Sequence, residues 1–307
     1  MKVPFKATPK KMYNDPDAIR GFETAPLMGF LKPRKIDREQ FRDRFKTFLP
    51  KLLTVTRIFR EIKKTTKSLK KNPTNPKTLV DDKFIKNLKE YAGKFNVILG
   101  FTKLKRELIF KNEAVFFEDV IVLSMEMSKE IMNKAPSLKT QHMIIETYNQ
   151  LSIVANKVAK FLRKNGYSAQ ACHPLGGAVS YPPLAQLAGM GINGRHGLAI
   201  VPQFGPRHRL TAVLINIENL PIPDNNDHMW IEDYCKTCGR CIRKCPVGAI
   251  FEKAIINEDG SKTHINDDIC FHEFMINYGC SVCVKECMFN RESYKKLKEI
   301  VKKRKSN

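Results

Sequence analysis

Apolar residues recur along the middle of the chain at two spacings, which predict alternating helices and strands. Gaps of three and four residues, typical of amphipathic helices, occur in 83–94, 144–164 and 183–188. Short apolar runs, typical of buried strands, occur in 95–100, 120–124, 167–171, 198–201 and 210–217. The pair Asn165-Gly166 marks a helix end. The pattern predicts an α/β domain over residues 79–225.

Both ends of the chain are predicted to be basic helices. Residues 1–78 contain 21 Lys and Arg against 7 acids, a surplus of +14. Apolar residues in 38–71 again recur every three or four positions, with a break expected at Pro50. Residues 72–77 form a linker rich in Asn and Pro. The tail, 291–307, has 8 basic residues and 2 acids, and it is predicted to be a solvated basic helix.

Length and charge narrow the class of protein. The chain has 307 residues, a net charge of +23 and 42% hydrophobic residues, enough for a core, so general disorder is excluded. No run of 18 apolar residues and no export signal is seen, so we expect no transmembrane segment and a cytoplasmic location. The surplus of positive charge is consistent with binding to nucleic acid or to an anionic membrane surface, and equally with a solvated helix that binds neither.

Crowded cysteines are the strongest chemical signal. Eight of the nine lie between Cys235 and Cys287. In a chain without an export signal, such crowding indicates metal ligation rather than a disulfide framework. The ninth, Cys172, has no cysteine nearby, and we expect it to be a small buried side chain.

The cysteines form two runs with the spacing of a bacterial ferredoxin. The first, 235–246, reads C-x2-C-x2-C-x3-C-P, and the second, 270–287, reads C-x9-C-x2-C-x3-C. In such a run three thiolates bind one cubane, and the fourth, at the start of a helix, binds the neighbouring cubane. Two [4Fe-4S] clusters in a domain spanning 226–290 are therefore predicted. The ligands are Cys235, Cys238, Cys241 and Cys287 for cluster 1, and Cys245, Cys270, Cys280 and Cys283 for cluster 2.

Two zinc sites are the alternative to the clusters. Zinc usually takes paired C-x2-C knuckles and has no use for a third cysteine at a further spacing of two.

The first cysteine loop also carries four basic residues, namely Lys236, Arg240, Arg243 and Lys244. They suit docking of an acidic electron donor such as a ferredoxin or flavodoxin, and they also suit a plain solvated loop.

A glycine-rich segment precedes the cysteines. Gly189, Gly191 and Gly194 match G-x-G-x-x-G, which in a dinucleotide site follows a strand and opens a helix. Here the predicted order is reversed, because a helix precedes the glycines and a strand follows them. We therefore expect no dinucleotide site, but a turn whose backbone comes close to something flat or bulky.

Residues 80–290 resemble the cobamide-dependent reductases, which include reductive dehalogenases and epoxyqueuosine reductases. The resemblance rests on Pro-Pro-Leu-Ala-x-Leu-Ala-Gly-x-Gly-x-x-Gly-Arg-x-Gly from Pro182, Phe-Gly-Pro-x-x-Arg from Phe204, and the two cysteine runs. It implies an α+β protein in which a nitroreductase-like α/β domain, followed by the ferredoxin-like domain, holds a cobalamin-type corrinoid. The family has no histidine on cobalt, so His196 need not bind it. The matching motif residues that line the corrinoid site are Tyr181, Gly189, Gly191, Gly194, Arg195, Gly197 and Arg209.

The candidate acid departs from one branch of this family. Epoxyqueuosine reductases carry an Asp-Tyr-His stretch whose Asp donates a proton, whereas this chain has Thr147-Tyr148-Asn149. Tyr148 is the candidate catalytic residue, because a tyrosine donates the proton in reductive dehalogenases, and Glu146 is adjacent. The alternative is that Tyr148 simply starts a helix.

Three functions remain open from the sequence. The first is a corrinoid-dependent oxidoreductase, similar to reductive dehalogenases, that reduces a small organic molecule. The second is a ferredoxin-like electron carrier or activator without a substrate of its own. The third is a reductase that modifies tRNA, similar to epoxyqueuosine reductase and supported by the positive charge.

Overall fold

The computed structural model describes residues 10–25, 52–257 and 262–306. The helices are α1 (Lys10–Tyr13), α2 (Leu52–Ser68), α3 (Asp82–Gly93), α4 (Lys129–Met132), α5 (Leu138–Lys164), α6 (Tyr181–Leu187), α7 (Trp230–Cys238), α8 (Arg240–Arg243), α9 (Asp267–Ile276), α10 (Val282–Glu286), α11 (Met288–Arg291) and α12 (Tyr294–Ser306). The strands are β1 (Ile19–Arg20), β2 (Val97–Lys103), β3 (Ala114–Val115), β4 (Asp119–Glu126), β5 (Ala169–Ala171), β6 (Ile192–Asn193), β7 (Ala199–Ile200), β8 (His208–Ile215), β9 (Ile250–Ile256) and β10 (Lys262–Ile265). The predicted mixture of helices and strands is confirmed.

A four-stranded antiparallel sheet forms the core, in the order β2-β4-β8-β5. Strand β4 pairs with β2 on one side and with β8 on the other, so that Asp119 lies opposite both Lys103 and Ile215. Both faces of the sheet are covered, and residues 120–123 and 212–215 are fully buried. Burial on both faces explains why these strands read as continuous apolar runs in the sequence.

Helices α3 and α5 cover one face of the sheet. Their apolar sides meet strands β4 and β8 in one cluster that includes Leu88, Leu151, Val158, Ile121 and Val213. Each side chain of this kind that leaves water contributes about 1.5–3 kcal/mol to the stability of the sheet domain.

Helix α5 begins earlier than its periodicity indicates. It starts at Leu138, where the Ser137 hydroxyl accepts a hydrogen bond from the Thr140 N–H, and it ends at the predicted Asn165-Gly166, where Gly166 has φ +91°. Tyr148 therefore lies well inside the helix, and the alternative that it starts a helix is wrong.

Helix α2 packs along α5. Its buried Glu61 accepts a hydrogen bond from Asn156 of α5 at 3.0 Å, and Thr65 bonds the same amide at 3.2 Å. The helix predicted over 38–71 is present from Leu52 to Ser68, and its earlier part, with Pro50, lies outside the described residues.

The opposite face of the sheet is covered by α6 and its flanking loops. Leu184 and Ala185 of α6 pack against Val120, Val122 and Leu214. Cys172 lies in the same cluster and is 4% exposed, which confirms the prediction of a small buried side chain.

The cysteine-rich part combines short helices with a hairpin that the sequence pattern missed. Strands β9 and β10 pair in antiparallel fashion between Cys245 and Cys270. The expectation that Cys245 starts a helix is wrong. Pro246 and Val247 form a turn, and a strand follows, because Gly248 has φ +61°, a conformation that no α-helix contains.

Helix α12 is docked rather than fully solvated. Leu297 and Val301 are 1% and 7% exposed and pack in one cluster with Phe289 and Ile231. Lys295, Lys296, Lys302, Lys303 and Arg304 are exposed, so the expectation of a solvated helix holds for one face only. Within the described ranges, no helix has the length and apolar character needed to cross a membrane.

Candidate iron–sulfur and cofactor site

The four cysteines assigned to cluster 1 surround one small cavity. Cys235 and Cys238 come from α7, Cys241 from α8, and Cys287 caps the N-terminus of α11. All four line the cavity, together with Tyr234, Met288 and Phe289. Gly239, with φ +55°, turns the chain between α7 and α8, which lets three cysteines of one short loop face inward.

The four cysteines assigned to cluster 2 also lie within reach of one another. The Cys283 thiol is influenced electrostatically by Cys270, Cys280 and Cys245, and also by Cys241 of the other set. The four cysteines assigned to cluster 2 come from different elements or loops. Cys280 itself has φ +31°, a conformation that a non-glycine residue adopts at a cost, and it turns the chain into α10. The division of the eight cysteines into two ligand sets stays a prediction from crossed ferredoxin ligation.

Burial strongly disfavours free thiolates at these positions. Burial, together with Cys241 and Cys238, raises the pKa of Cys235 to about 12. Burial and the neighbours Cys280 and Cys245 raise the pKa of Cys270 to about 11. The pKa of Cys287 is likewise raised well above its usual value by burial. A positively charged group between such crowded, buried thiols, as iron provides, would stabilise them as thiolates.

Backbone N–H groups point at the sulfur atoms. The Ala249 N–H donates to Cys245 Sγ at 3.3 Å. The N–H groups of Arg195 and Phe289 donate to Cys235 and Cys287, respectively, and lower the pKa of each thiol against the effect of burial. Such bonds stabilise negative charge on sulfur and tune iron–sulfur clusters. The residues therefore fit two cubanes.

The zinc alternative needs four ligands around one ion. Across the described ranges, no three His, Cys, Asp or Glu side chains are grouped closely enough to hold a single metal ion. In a cubane each thiolate binds a different iron atom, so its four sulfur ligands lie farther apart than those of one ion. The described cysteines also form no disulfide.

An ion pair that the sequence pattern did not reveal joins the two cysteine runs. Arg240 of α8 donates to Glu286 Oε2 at 2.6 Å, and the side chains are 33% and 14% exposed. This bond lowers the pKa of Glu286. It holds α8, with Cys241, against α10, with Cys283.

Close packing within the chain explains three of the predicted site glycines. A Cβ on Gly191 would lie 2.0 Å from Ile200 O, one on Gly189 would lie 2.8 Å from Pro223, and one on Gly194 would lie 2.7 Å from Ile200 Cδ1. Gly197, with φ +73°, has only His264 Cβ nearby, at 3.4 Å. The flat or bulky neighbour expected from the sequence is thus protein at the first three positions.

A cleft of about 910 Å³ lies beside cluster 1. Its walls come from α6, the glycine-rich loop, α7 and the hairpin β9-β10, and they include Leu187, Asn193 and Lys262. Arg195 and Cys235 line both this cleft and the cluster 1 cavity. Of the predicted cofactor residues, Arg195 lines the cleft, whereas Tyr181 and Arg209 do not.

Tyr148 and Arg209 lie together, away from this cleft. The Arg209 guanidinium carbon is 4.6 Å from the centre of the Tyr148 ring. Arg209 Nε is buried and has no hydrogen-bond partner within the described ranges. Tyr148 packs in a cluster with Leu198 and Cys283, which puts it near cluster 2.

Tyr181 is directed into the core. Its hydroxyl donates to the His173 carbonyl at 2.6 Å, and burial raises its pKa well above the usual value. A Cβ on Gly177 would overlap this hydroxyl, so the loop at Gly177 is shaped around it. The structure thus gives Tyr181 a packing role.

Sequence comparison supports both the cysteine chemistry and the resemblance. A family model described as a 4Fe-4S binding domain matches residues 228–251, which contain the first run. The tetrachloroethene reductive dehalogenases of Desulfitobacterium hafniense and Sulfurospirillum multivorans are 33% and 32% identical over 188 and 195 residues. The epoxyqueuosine reductase of Aliivibrio fischeri is 30% identical over 153 residues. These matches cover 57%, 60% and 47% of this chain.

Structural comparison shows the same kind of fold. A catabolic reductive dehalogenase superposes with a TM-score of 0.62 at 17% identity, over 80% of this chain and 39% of that protein. The chain is homologous to reductive dehalogenases and epoxyqueuosine reductases, so the resemblance is confirmed. The matches span 33–39% of the length of these curated relatives. The family match supports the predicted [4Fe-4S] chemistry of the first cysteine run.

Proposed function

We propose that this chain is an iron–sulfur oxidoreductase that passes electrons through two [4Fe-4S] clusters to a bound corrinoid and thereby reduces an organic substrate. The observation that carries the proposal is that the cluster 1 cavity and the cleft share two lining residues, Cys235 and Arg195. A group bound in the cleft would lie against a cluster ligand, which suits electron transfer.

The cleft fits a large cofactor with a flat apolar body and a polar rim. Its volume of about 910 Å³ lies near the upper end of ligand pockets, which run from about 300 to 1,000 Å³. Leu187 and Pro183 offer apolar surface, Asn193 offers an amide, and Arg195 offers a cation. A bound corrinoid supplies a strongly reducing cobalt centre. The chain would hold it, shield it from water and connect it to cluster 1. On this proposal, the sheet and its helices form a nitroreductase-like domain over 79–225.

Tyr148 stays the proposed proton donor on the ground of the resemblance, and its test is separate from that of the cleft, because Tyr148 does not line the cleft. A phenol that gives up its proton leaves a phenolate, and the Arg209 cation, 4.6 Å from the ring, would stabilise that charge. Tyr148→Phe should therefore lower turnover strongly while leaving iron content and corrinoid binding unchanged. Tyr91→Phe is the matched control, because it removes the hydroxyl of a tyrosine whose ring stacks on Phe161 in the helix layer, and it should retain turnover. Equal turnover of both variants would argue against Tyr148 as the donor.

The test of the main proposal is an anaerobic titration of the iron-reconstituted protein with cobalamin, followed by EPR of Co(II). We expect a base-off signal that saturates near one cobalt per chain. Leu187→Trp, which fills the cleft, should abolish the signal. Leu79→Trp, at an exposed position outside the cleft, is the matched control and should keep it. Intact clusters without any cobalt signal in the wild-type protein would leave the second function, an electron carrier or activator.

A basic stripe favours the tRNA-modifying reductase as a further candidate function. The exposed residues Arg57, Arg60, Lys64, Lys67 and Lys71 follow one another at spacings of three and four along α2 and the turn after it. Such a stripe suits the phosphate backbone. A gel shift of tRNA that is lost at moderate salt, and lost on Arg57→Glu with Arg60→Glu, would support this function. A shift that persists in the double variant would argue against this surface.

The remaining assignments are proposals of the same kind. An acidic ferredoxin or flavodoxin would donate electrons near the exposed residues Arg243 and Lys244, which adjoin Cys245. The cytoplasm is the proposed location. The proposed boundaries are residues 78, 225 and 290, which separate the N-terminal extension, the sheet domain, the ferredoxin-type domain and the C-terminal helix.

A further inference from the structure

His196 occupies an unusual place beside cluster 1. It lies in the glycine-rich loop directly after Arg195, is only 4% exposed, and lines the cavity that the four cluster 1 cysteines surround. The preceding N–H, that of Arg195, already donates to the Cys235 sulfur. The loop therefore places His196 in the wall of the cavity that the cluster 1 cysteines line.

The hydrogen bonds of His196 fix the position of its proton. The Leu198 N–H donates to Nδ1 at 3.2 Å, so Nδ1 carries a lone pair and the ring proton is on Nε2. Nε2 is buried and has no hydrogen-bond partner among the residues that the structure describes. A buried donor without an acceptor is unfavourable, so this N–H is suited to an acceptor in the cavity.

The other buried histidines have partners at both nitrogens. His173 bonds Ser152 Oγ at 2.8 Å through Nε2 and Leu175 through Nδ1. His208 bonds Ser124 Oγ through Nδ1 and the Ala199 carbonyl through Nε2, both at 2.9 Å. His196 alone of these three lines the cysteine cavity, and it alone retains a buried N–H without an acceptor.

We propose that His196 donates a hydrogen bond from Nε2–H to a sulfur atom of cluster 1 and thereby raises the reduction potential of this cluster. The inference rests on the proposed function only in requiring that cluster 1 is present. Sulfur becomes more negative when the cluster takes up one electron, so a hydrogen bond to it is stronger in the reduced state. The proton stays on Nε2 throughout. His196 is thus a positioning and tuning residue for electron transfer toward the cleft.

The test is a redox titration of the iron-reconstituted protein without cobalamin, followed by EPR. Cys241→Ser and Cys270→Ser identify the signals of clusters 1 and 2. His196→Phe keeps a ring but removes the N–H, and we expect the cluster 1 potential to fall. If the ratio of reduced to oxidised cluster changes about tenfold at fixed potential, the fall is about 59 mV for this one-electron couple. Cluster 2 in the same molecule is the internal control and should keep its potential.

His196→Asn separates the donor from the loop contact. A side-chain amide at this position can still accept from the N–H two residues ahead, so the loop should fold, but it is too short to replace the imidazole N–H. We expect the same fall in potential as with His196→Phe. An unchanged cluster 1 potential, an equal fall in both clusters, or loss of cluster 1 iron from both variants would overturn the proposal. Absence of iron from the wild-type protein would instead refute the proposed function, and iron content is measured first.

Discussion

Gly205→Ala should weaken the contact between the sheet domain and cluster 1. Gly205 has φ +58°, and a Cβ there would lie 2.3 Å from the Phe289 carbonyl oxygen and 2.8 Å from its carbon. Phe289 belongs to α11, which Cys287 caps. Relief of the overlap requires the turn or the helix to move, and movement of the helix displaces a cluster ligand.

The magnitude follows from two separate costs. A carbon–oxygen contact needs about 3.2 Å, so the backbone must shift by about 1 Å, and overpacking of this kind costs about 1–3 kcal/mol. The left-handed conformation costs alanine about a further 1–2 kcal/mol. Gly248 has φ +61°, and a Cβ there would have nothing within 4 Å, so Gly248→Ala is expected to lose stability only through the left-handed conformation. The two variants should therefore differ by about 1–3 kcal/mol in free energy of unfolding.

The assay is anaerobic urea unfolding of the cluster-loaded variants, followed by circular dichroism. Emission of Trp230 is a local probe, because it is the only tryptophan and its ring lies 5.6 Å from that of Phe289. Gly205→Ala should unfold at lower urea than Gly248→Ala, lose about half of its iron and show altered Trp230 emission. Equal unfolding midpoints, with full iron in both variants, would refute the steric argument.

Three further changes test other contacts. Cys241→Ser should remove one cubane and leave the other, so iron falls to about half; equal loss from both clusters would show that they do not assemble independently. Burial raises the pKa of Asp119 despite Lys103 at 3.8 Å, so the folded state loses stability as the pH rises through the range above the usual Asp value. Asp119→Asn should then raise the thermal midpoint at pH 7 and have no effect at about pH 3, where both states are protonated; a lower midpoint at pH 7 would contradict this. Tyr294→Phe leaves the Trp230 N–H, now bonded at 3.0 Å, without its acceptor and should cost about 1–2 kcal/mol in urea unfolding, whereas an unchanged midpoint would mean that water replaces the hydroxyl.

The elements that the sequence predicted well are those with a local physical signal. The apolar run at 120–124 is a strand because the fold buries both of its faces, and Asn165-Gly166 ends α5 because glycine accepts φ +91° without strain. The first cysteine run is equally local, since the spacing itself brings three thiols onto one loop. In each case the residues that cause the structure lie within a few positions of it.

Contacts between distant segments carry no such signal. Gly191 has no room for a side chain because the Ile200 carbonyl lies across a tight turn from it. Gly205 has none because of the carbonyl of Phe289, which lies far along the chain. The apolar pattern does not predict the hairpin β9-β10, because Ile250 is the one buried residue of its two strands and the strands lack apolar alternation. The sequence does not indicate that His196 lies near the cysteines, because only the fold brings residue 196 to them.

These distant contacts connect the sheet domain to cluster 1 at two points. The glycine-rich loop reaches Cys235 through the Arg195 N–H and places His196 in the cavity, and the turn at Gly205 abuts the helix that Cys287 caps. The proposed ligands of cluster 1 therefore have positions that depend on the sheet domain. Cys283, a proposed ligand of cluster 2, packs against a different group of side chains, which Tyr148 also contacts. Because each proposed cubane has its own set of contacts, a change in the glycine-rich loop should act on the potential of cluster 1 before it affects cluster 2.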